Sequence, residues 1–467
     1  MKKKYLIIFL LTLFFLFFLI NKNIGNKDSS LNLFKQFIPS SIKNFLKEKL
    51  FVYKNQKELK YIINQQNLII LDLKKKIIEV SLDEINFLEN DPRKKNLEKT
   101  NDLKIFSSDL KNALGPRGYL QNFQDHLFFI TGTGKLFFSN IGDLKGKIIN
   151  FKSINSNFSK IVGVNYLKKN INIVNHFLIK DNKLYISYNK KISENCFFNS
   201  IAVSNLNFEK MIFKDFIIFD ECAYAFSYSA GGRLSSYEGN EILLTIGDHD
   251  PYSNKEDQPQ KMDNLYGKTI KINTLNKKFE IISFGHRNSQ GLFYDKKDKV
   301  IFSTDHGPKG GDEINLIQNL KIIPNFGWPI SSYGAHYIDT PSLDPFTNPN
   351  LKDDQYVKQP LKKSHEEFGF TEPIFFWKES SPPTQILKIN LPNINMDKLI
   401  YVSVLGKTLK GNHKSLHKFK FSKDYKLKDH KILKINERIR DMIYLEKENT
   451  ILLYLEESGS IATLNLN

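Results

Sequence analysis

The sequence predicts an all-β fold, a β-propeller, that follows an N-terminal export segment and a helical stalk. From about residue 105, short runs of β-branched and aromatic residues end in Gly, Asn or Asp turns, as in HLFFITGTGKLFFS and DKLIYVSVLG. These runs recur at intervals typical of blades, which favours a propeller over a sandwich. An apolar N-terminal run and a separate helical pattern precede them.

Composition and charge narrow the class of protein. The chain has 467 residues, of which 41% are hydrophobic and 13% aromatic, so a sizeable core is available and a disordered or collagen-like chain is excluded. The net charge is +18, but the lysines are spread along the whole chain. A nucleic-acid site would concentrate basic residues on one face together with stacking aromatics, so no nucleic-acid partner is predicted.

Residues 1–20 are predicted to be a signal peptide or an uncleaved membrane anchor. Lys2, Lys3 and Lys4 precede the uncharged, almost wholly apolar run from Tyr5 to Ile20, which indicates export across a membrane. The run is shorter than the roughly 20 residues of a spanning helix, which favours a signal peptide. No small-residue cleavage site follows it, which favours an anchor. Both alternatives place the remainder in the periplasm, with the anchor held in the inner membrane.

Residues 21–100 are predicted to form a helical stalk or linker. Apolar residues between 54 and 80 follow 3-4 spacing, although Gln66 and Lys76 interrupt the seam. This helix could associate with a second copy of the chain or pack on the main domain. Pro92 and the charged stretch 89–99 mark the boundary before a propeller over residues 105–467.

The most specific motifs lie between Gly231 and Gly334. In order they are GGRL, GDHD, GHRNSQG, HGPKGGDE and NFGWP, and FWKESSPPTQI and RIRD follow later. This ordered series closely resembles the glucose/sorbosone dehydrogenase family over roughly residues 105–467. The resemblance implies a six-bladed propeller that oxidises aldoses with pyrroloquinoline quinone (PQQ) and calcium.

GHRNSQG is the first candidate cofactor site. Arg287, Asn288 and Gln290 offer a guanidinium and two amides, which suit the carboxylates and carbonyls of a planar anionic quinone. The resemblance implies that Arg287 and Asn288 contact the cofactor. The alternative is that Arg287 only ties neighbouring blades together.

HGPKGGDE is the candidate calcium site. Its glycines permit a sharp turn that points successive carbonyls at one ion, and calcium accepts carbonyl and carboxylate oxygens. The resemblance implies that the carbonyls of Gly307 and Pro308 bind the ion and that Asp312 supports them. The alternative is a turn between blades with acidic residues at the surface.

RIRD places Arg438 and Arg440 on one side of a strand, because they are two residues apart. Without partners, two buried cations would be costly, so an anionic ligand is expected there. The resemblance implies that both reach the PQQ carboxylates. It also implies that the hydroxyl of Thr384 lies near the cofactor, with a plain turn residue as the alternative.

Two positions depart from the family pattern. The position of the family's general-base histidine holds Ser229, and a serine hydroxyl cannot accept a proton near neutral pH as imidazole does. His249 could replace it only if its loop folds back. The cofactor-contacting lysine is displaced, which makes Lys407, or else Lys410, the candidate.

Two functions therefore follow from the sequence. The first is PQQ- and calcium-dependent oxidation of an aldose at its anomeric hydroxyl, with electrons passed to a quinone or cytochrome. No strand is followed by the G-x-G-x-x-G pattern of nicotinamide cofactors. The alternative is a catalytically degenerate, membrane-tethered propeller that binds a carbohydrate or a protein partner. Ser229 favours the alternative, and the arginines and the calcium bend favour the enzyme.

The two cysteines, Cys196 and Cys222, are 26 residues apart, each beside a strand-like run. In an exported chain this spacing predicts a disulfide, with two buried thiols as the alternative.

Overall fold

The structure, a computed structural model, describes a closed ring of six sheets, which are antiparallel except for one short parallel strand in the first sheet. The described residues are 84–89, 103–107, 117–163, 173–194, 196–223, 229–249, 258–334, 365–390, 397–408 and 411–466. The predicted export segment 1–20 and the helix predicted over residues 54–80 lie outside them. Within the described residues, no helix has both the length and the apolar character needed to span a membrane.

Each sheet is one blade, and its innermost strand comes first in the chain, apart from one added outer strand in blade 1 and one in blade 6. Blade 1 contains β1 (Glu84–Leu88), β3 (Gly118–Phe123), β4 (His126–Thr131), β5 (Leu136–Asn140), β6 (Ile148–Ser156) and the short β10 (Lys210–Met211). Blade 2 contains β7 (Val174–Lys180), β8 (Lys183–Ser193), β9 (Cys196–Asn205) and β11 (Lys214–Ile218). Blade 3 contains β12 (Gly231–Ser236), β13 (Glu241–Ile246), β14 (Lys268–Asn273) and β15 (Phe279–Phe284).

The second half of the ring repeats this arrangement. Blade 4 contains β16 (Ser289–Asp295), β17 (Val300–Asp305), β18 (Asp312–Ile317) and β19 (Phe375–Trp377). Blade 5 contains β20 (Pro383–Ile389), β21 (Lys398–Thr408), β22 (Gly411–Phe421) and β23 (Leu427–Lys434). Blade 6 contains β24 (Ile439–Leu445), β25 (Thr450–Leu455), β26 (Ser460–Asn465) and β2 (Leu103–Phe106).

Helices are few and short in the described part of the chain. They are α1 (Phe158–Val162) and the 3₁₀ turns Ile141–Lys145, Gln258–Gln260 and Glu366–Phe368. The six-bladed, all-β prediction is therefore confirmed.

The ring closes through a strand from the N-terminal side of the propeller. β2 pairs antiparallel with β26, from Leu103 opposite Leu464 to Phe106 opposite Ile461, and so becomes the outer strand of the last blade. β1 similarly adds an outer strand to blade 1. The predicted start at residue 105 is therefore too late, because both strands pair with segments far away in the sequence and show no local repeat.

Apolar contacts between the blades hold the ring together. The buried hydrophobic residues form six clusters, one between each pair of neighbouring blades. Between blades 6 and 1, for example, Phe129 and Phe151 pack with Leu452 and Tyr454. The innermost strands also contact one another in cyclic order. Their first residues therefore surround the ring axis at one end.

The predicted disulfide is present. Cys196, the first residue of β9, is bonded to Cys222, and their Cα atoms are 5.0 Å apart. The Tyr266 hydroxyl donates to the Cys222 carbonyl at 2.5 Å. The bridge therefore ties Cys222 to the first residue of β9.

Candidate functional site

The predicted site residues gather where the innermost strands begin. Arg287 and Asn288 directly precede β16, Arg438 directly precedes β24, and Ser229 lies two residues before β12. The bend 306–311 joins β17 to β18 beside the start of β16, because Ser289 pairs with Asp305. The ring thus brings together residues that are up to about 200 positions apart in the sequence.

Asp305 fixes the backbone of the GHRN turn. Its Oδ1 accepts the Asn288 amide at 2.6 Å, and its Oδ2 accepts the Arg287 amide at 3.1 Å. The same Oδ2 lies 3.1 Å from His286 Nδ1 and accepts the Ser289 hydroxyl at 3.2 Å. Burial alone would raise the pKa of Asp305, but its bonds to His286 and to the Asn288 amide lower it. An ionised carboxylate therefore orients both candidate cofactor residues.

The Arg287 side chain reaches the predicted calcium bend. Its Nη1 donates to the Gly307 carbonyl at 2.9 Å and lies 3.3 Å from the His306 carbonyl. The guanidinium also lies over the Trp328 ring, 5.5 Å from its centroid. Arg287 and the bend therefore form one continuous wall.

Asn288 connects this wall to blade 3 and to Gln290. Its Oδ1 accepts the Gly231 amide at 3.1 Å and the Gln290 Nε2 at 2.9 Å. Its Nδ2 lies 3.3 Å from His306 Nδ1. Gln290 in turn accepts Arg233 Nε at its carbonyl, at 2.8 Å. Asn288 and Gln290 thus belong to one hydrogen-bonded network.

The bend 306–311 is a tight turn in which glycine is required. A Cβ on Gly307 would lie 2.2 Å from the Gly310 oxygen, so only glycine fits there. Asp312 accepts the Gly307 amide at 3.2 Å and the Ser381 amide at 2.6 Å, which braces the bend from behind. Burial raises the pKa of Asp312 to about 7. In the described residues no group of three His, Cys, Asp or Glu side chains gathers as metal ligands.

Arg438 and Arg440 share one carboxylate partner, Glu456. Arg440 donates to both oxygens of Glu456, from Nη2 at 2.7 Å and from Nε at 3.1 Å. Arg438 Nε lies 3.2 Å from Glu456 Oε2. Burial and the nearby Arg440 lower the pKa of Arg438 to about 9, which leaves it charged at neutral pH. Both side chains do lie on the same side of the strand, as predicted.

His306 shows that the two groups of arginines approach each other. Its Nε2 lies 2.6 Å from the Pro383 carbonyl. Burial, and then the positive charges of Arg438 and Arg287, lower its pKa to about 3. A neutral His306 therefore stands between the GHRN turn and the RIRD strand.

Ser229 lies beside the segment that carries Asp248 and His249. The Ser229 carbonyl accepts the His249 amide at 3.1 Å, so the loop does fold back. The His249 ring, however, is buried, stacks on Phe198 at 4.4 Å and hydrogen-bonds Asn199. The Asp248 carboxylate accepts the Trp328 indole N–H at 3.0 Å, and its amide donates to the Arg287 carbonyl at 2.7 Å. Asp248 is thus a carboxylate beside the Ser229 position.

Thr384 and Lys407 lie in two neighbouring strands of blade 5. Thr384 lies in the innermost strand β20, so the turn interpretation is wrong. Its hydroxyl donates to the Ile439 carbonyl at 2.7 Å and hydrogen-bonds Ser403, which joins blades 5 and 6. Lys407 lies in β21, but its side chain is outside the described part of the structure, as is Lys410.

A buried network crosses the ring axis below these residues. Arg233 Nη1 donates to Asp441 Oδ1 at 2.6 Å, and Asp441 Oδ2 accepts the Leu120 amide at 2.8 Å. The Arg233 guanidinium lies 5.7 Å from the centre of the Tyr119 ring. This buried ion pair and its hydrogen bond to Leu120 link blades 1, 3 and 6. This link was not predicted from the sequence.

Residues 169–463 match the glucose/sorbosone dehydrogenase family. The chain belongs to that family. The match begins just before the second blade and ends within β26, the last strand in the chain.

Two curated relatives match parts of the chain. Over 150 residues the chain is 34% identical to the uncharacterized protein slr1608 of Synechocystis sp., which is 28% of this chain and 36% of that protein. Over 163 residues it is 28% identical to the aldose sugar dehydrogenase YliI of Escherichia coli, which is 32% of this chain and 38% of YliI. The chain thus spans a little over a third of each curated relative.

The fold is also that of a solved PQQ domain. The holo form of the pyranose dehydrogenase PQQ domain from Coprinopsis cinerea superposes with a TM-score of 0.55 and 10% identity. The superposition covers 79% of this chain and 97% of that domain. At this identity the likeness concerns the fold alone.

One residue that the sequence reasoning missed is Arg117, which directly precedes β3. The chain contains six arginines and 62 lysines, and five of the arginines lie at or next to the start of an innermost strand. They are Arg117, Arg233, Arg287, Arg438 and Arg440. In so lysine-rich a chain, arginine marks positions that need its planar fork of donors, and this signal could have found Arg117.

Proposed function

We propose that this propeller oxidises an aldose at its anomeric hydroxyl, with PQQ as the cofactor and calcium as its metal. The observation that carries the proposal is that Arg287 donates to the Gly307 carbonyl of the bend 306–311, while the charges of Arg287 and Arg438 both lower the pKa of His306 in that bend. Family membership and the Coprinopsis PQQ domain of the same fold support it.

The residues present fit both groups. Arg438 and Arg440 share the single carboxylate of Glu456, and Arg287 adds a third guanidinium group to the site. A ligand with several carboxylates requires such an excess of positive charge. The tight glycine bend offers carbonyls, the ligand type that calcium prefers, and the cation would replace the hydrogen bond that the Gly307 carbonyl accepts from Arg287. PQQ would supply a two-electron acceptor when bound, and calcium would polarise its quinone.

The protein would bind and orient these groups. Arg287, Arg438 and Arg440 would bind anionic oxygens, and the Gly307 and Pro308 carbonyls would hold the cation. Asp312 would keep the bend in place from behind, and Asp305 would keep the GHRN turn in place. Electrons would then leave to an external quinone or cytochrome.

Asp248 would accept the proton of the sugar hydroxyl. Ser229 cannot do so near neutral pH, and the His249 ring is engaged by Phe198 and Asn199. Asp248 lies in the same wall as Arg287, since both contact Trp328. A carboxylate is a weaker base than imidazole, so this site would turn over slowly.

The second candidate function is a non-catalytic propeller that binds a carbohydrate or a protein partner. Ser229 favours it, because the family's base is missing while the binding residues are present. For either function, we propose a periplasmic location, with the chain held at the inner membrane through residues 1–20 and possible self-association through the stalk.

Reconstitution tests the proposal directly. The purified full-length chain is titrated with PQQ in the presence of Ca²⁺ and in the presence of a chelator, and its absorbance spectrum is recorded. Dye reduction is then measured with a panel of aldoses. Calcium-dependent PQQ binding with aldose-dependent dye reduction is the expected result. PQQ binding without any turnover would favour the non-catalytic propeller, and no PQQ binding would refute the cofactor assignment.

A further inference from the structure

Arg117 belongs to the same cluster as Arg438 and Arg440, in which Arg440 is buried and the other two arginines are half-buried. Its backbone is fixed because its carbonyl accepts the Gly132 amide at 2.7 Å. Its side chain hydrogen-bonds Tyr119 and interacts electrostatically with Arg440 and Glu456. It directly precedes the innermost strand of blade 1, just as Arg438 precedes that of the neighbouring blade 6. The two arginines therefore stand side by side at the same end of the ring.

The charges of this cluster do not balance. Arg440 binds both oxygens of the Glu456 carboxylate, Arg438 lies against the same carboxylate, and Arg117 interacts with it electrostatically, so three guanidinium groups surround one carboxylate. The nearby Arg233–Asp441 pair is matched one to one, which shows what a purely structural ion pair looks like in this protein. Burying like charges together is costly unless an anion joins them. The cluster therefore has the charge of an anion site.

The chemistry of the cluster selects carboxylates. A planar guanidinium binds a carboxylate through two parallel hydrogen bonds, which lysine cannot reproduce. This chain uses lysine almost everywhere else, yet all three positions hold arginine. Two forks from adjacent blades suit a rigid ligand that carries more than one carboxylate.

We propose that Arg117 binds a carboxylate of the anionic ligand together with Arg438, while Glu456 holds Arg440 in place between them. The identity of the ligand as PQQ, a tricarboxylate, rests on the function proposed above. The arginine clamp itself requires only a rigid polycarboxylate.

Binding measurements on the full-length chain test the clamp. Arg117→Met and Arg117→Lys are compared with the unchanged chain by calorimetric titration. The probes are PQQ with Ca²⁺, benzene-1,2,3-tricarboxylate, and PQQ trimethyl ester, which lacks the carboxylates. The matched control is Lys431→Met, which removes one positive charge from the exposed outer strand β23.

Arg117→Met should weaken PQQ and the tricarboxylate by about tenfold to a hundredfold, the usual effect of losing a charge-assisted hydrogen bond. Arg117→Lys keeps the charge without the fork and should give a smaller loss. The ester should be insensitive to both substitutions, and Lys431→Met should change none of the affinities.

The possible outcomes separate the clamp from the cofactor assignment. Tricarboxylate binding that depends on Arg117, with no PQQ binding, would support the clamp and refute the proposed function. PQQ binding that neither Arg117 substitution changes would overturn the clamp and leave the function standing. If Arg117→Met fails to fold, Arg117→Lys decides: an affinity equal to that of the unchanged chain would refute the clamp.

Discussion

At the scale of single residues, the proposed site combines a connected set of candidate binding residues with a serine at the position proposed for the base. Arg287, Asn288 and Asp305 are tightly interconnected through short hydrogen bonds. Ser229 stands where an imidazole would be expected, beside the Asp248 carboxylate. The two halves of the site can therefore be tested separately, because binding depends on the first and proton transfer on the second.

Ser229→His should raise the rate of PQQ-dependent aldose oxidation. The substitution restores a group that titrates near neutral pH, and general-base catalysis is typically worth about 10²–10⁴-fold. Dye reduction measured between pH 5 and 9 should show a rise in kcat and a new ionisation near the imidazole pKa. PQQ affinity should stay the same, which calorimetry would check.

Asp248→Asn is the companion variant. Alone, this substitution should remove the aldose oxidation activity of the unchanged chain. Combined with Ser229→His, it should leave part of the rate increase that Ser229→His produces. An unchanged rate in Asp248→Asn would contradict the role given to that carboxylate.

The motifs predicted the local chemistry of the site, but they could not reveal the pairing. GHRNSQG and HGPKGGDE are contiguous, so their donors and carbonyls can be read directly from the sequence. The partner of Arg438 and Arg440 is Glu456, on a different strand, and nothing in RIRD indicates it. Arg117 escaped notice for the same reason, since its neighbours come from the other end of the chain.

At the scale of secondary-structure elements, the outer strands of blade 5 contain a histidine pair, in which His417 is buried and His430 is half-buried. His417 Nδ1 lies 2.9 Å from His430 Nε2, and the His430 ring stacks on Phe419 at 4.2 Å. Burial, and then the neighbouring His430, lower the pKa of His417 to about 3. The fold therefore holds His417 neutral well below the pH at which an exposed histidine is protonated.

This pair predicts that the propeller loses stability in acid. The unfolded chain takes up a proton on His417 below about pH 6.5 and the folded chain does not, so stability falls as the pH decreases from about 6.5 towards 3. At pH 5 the loss from this one group is about 2 kcal/mol, and at pH 7 it is close to zero. Urea unfolding of the unchanged chain and of His417→Gln at both pH values measures it. Equal pH dependence in the two proteins would contradict the prediction.

At the scale of the whole molecule, the ring depends on one non-covalent closure. Turn residues and alternating apolar runs predict single blades, because a blade is local in the sequence. They do not predict β1 or β2, whose partners β6 and β26 lie far along the chain. The circular arrangement was predicted through the family motifs, and the six clusters between the blades explain physically why it closes.

Phe106→Ala should open the ring at this closure. Phe106 lies in β2, is fully buried and packs in the cluster between blades 6 and 1, so its truncation should cost about 3–5 kcal/mol. Because β2 is held in the sheet by β26 alone, amides of both strands should exchange with solvent faster than those of the other blades. The matched control is Phe302→Ala, equally buried in the inner part of blade 4. It should lower global stability without selective exchange in blade 6. Hydrogen exchange read by mass spectrometry compares the two variants, and equal protection of β26 in both would show that the closure is no weaker than the rest of the ring.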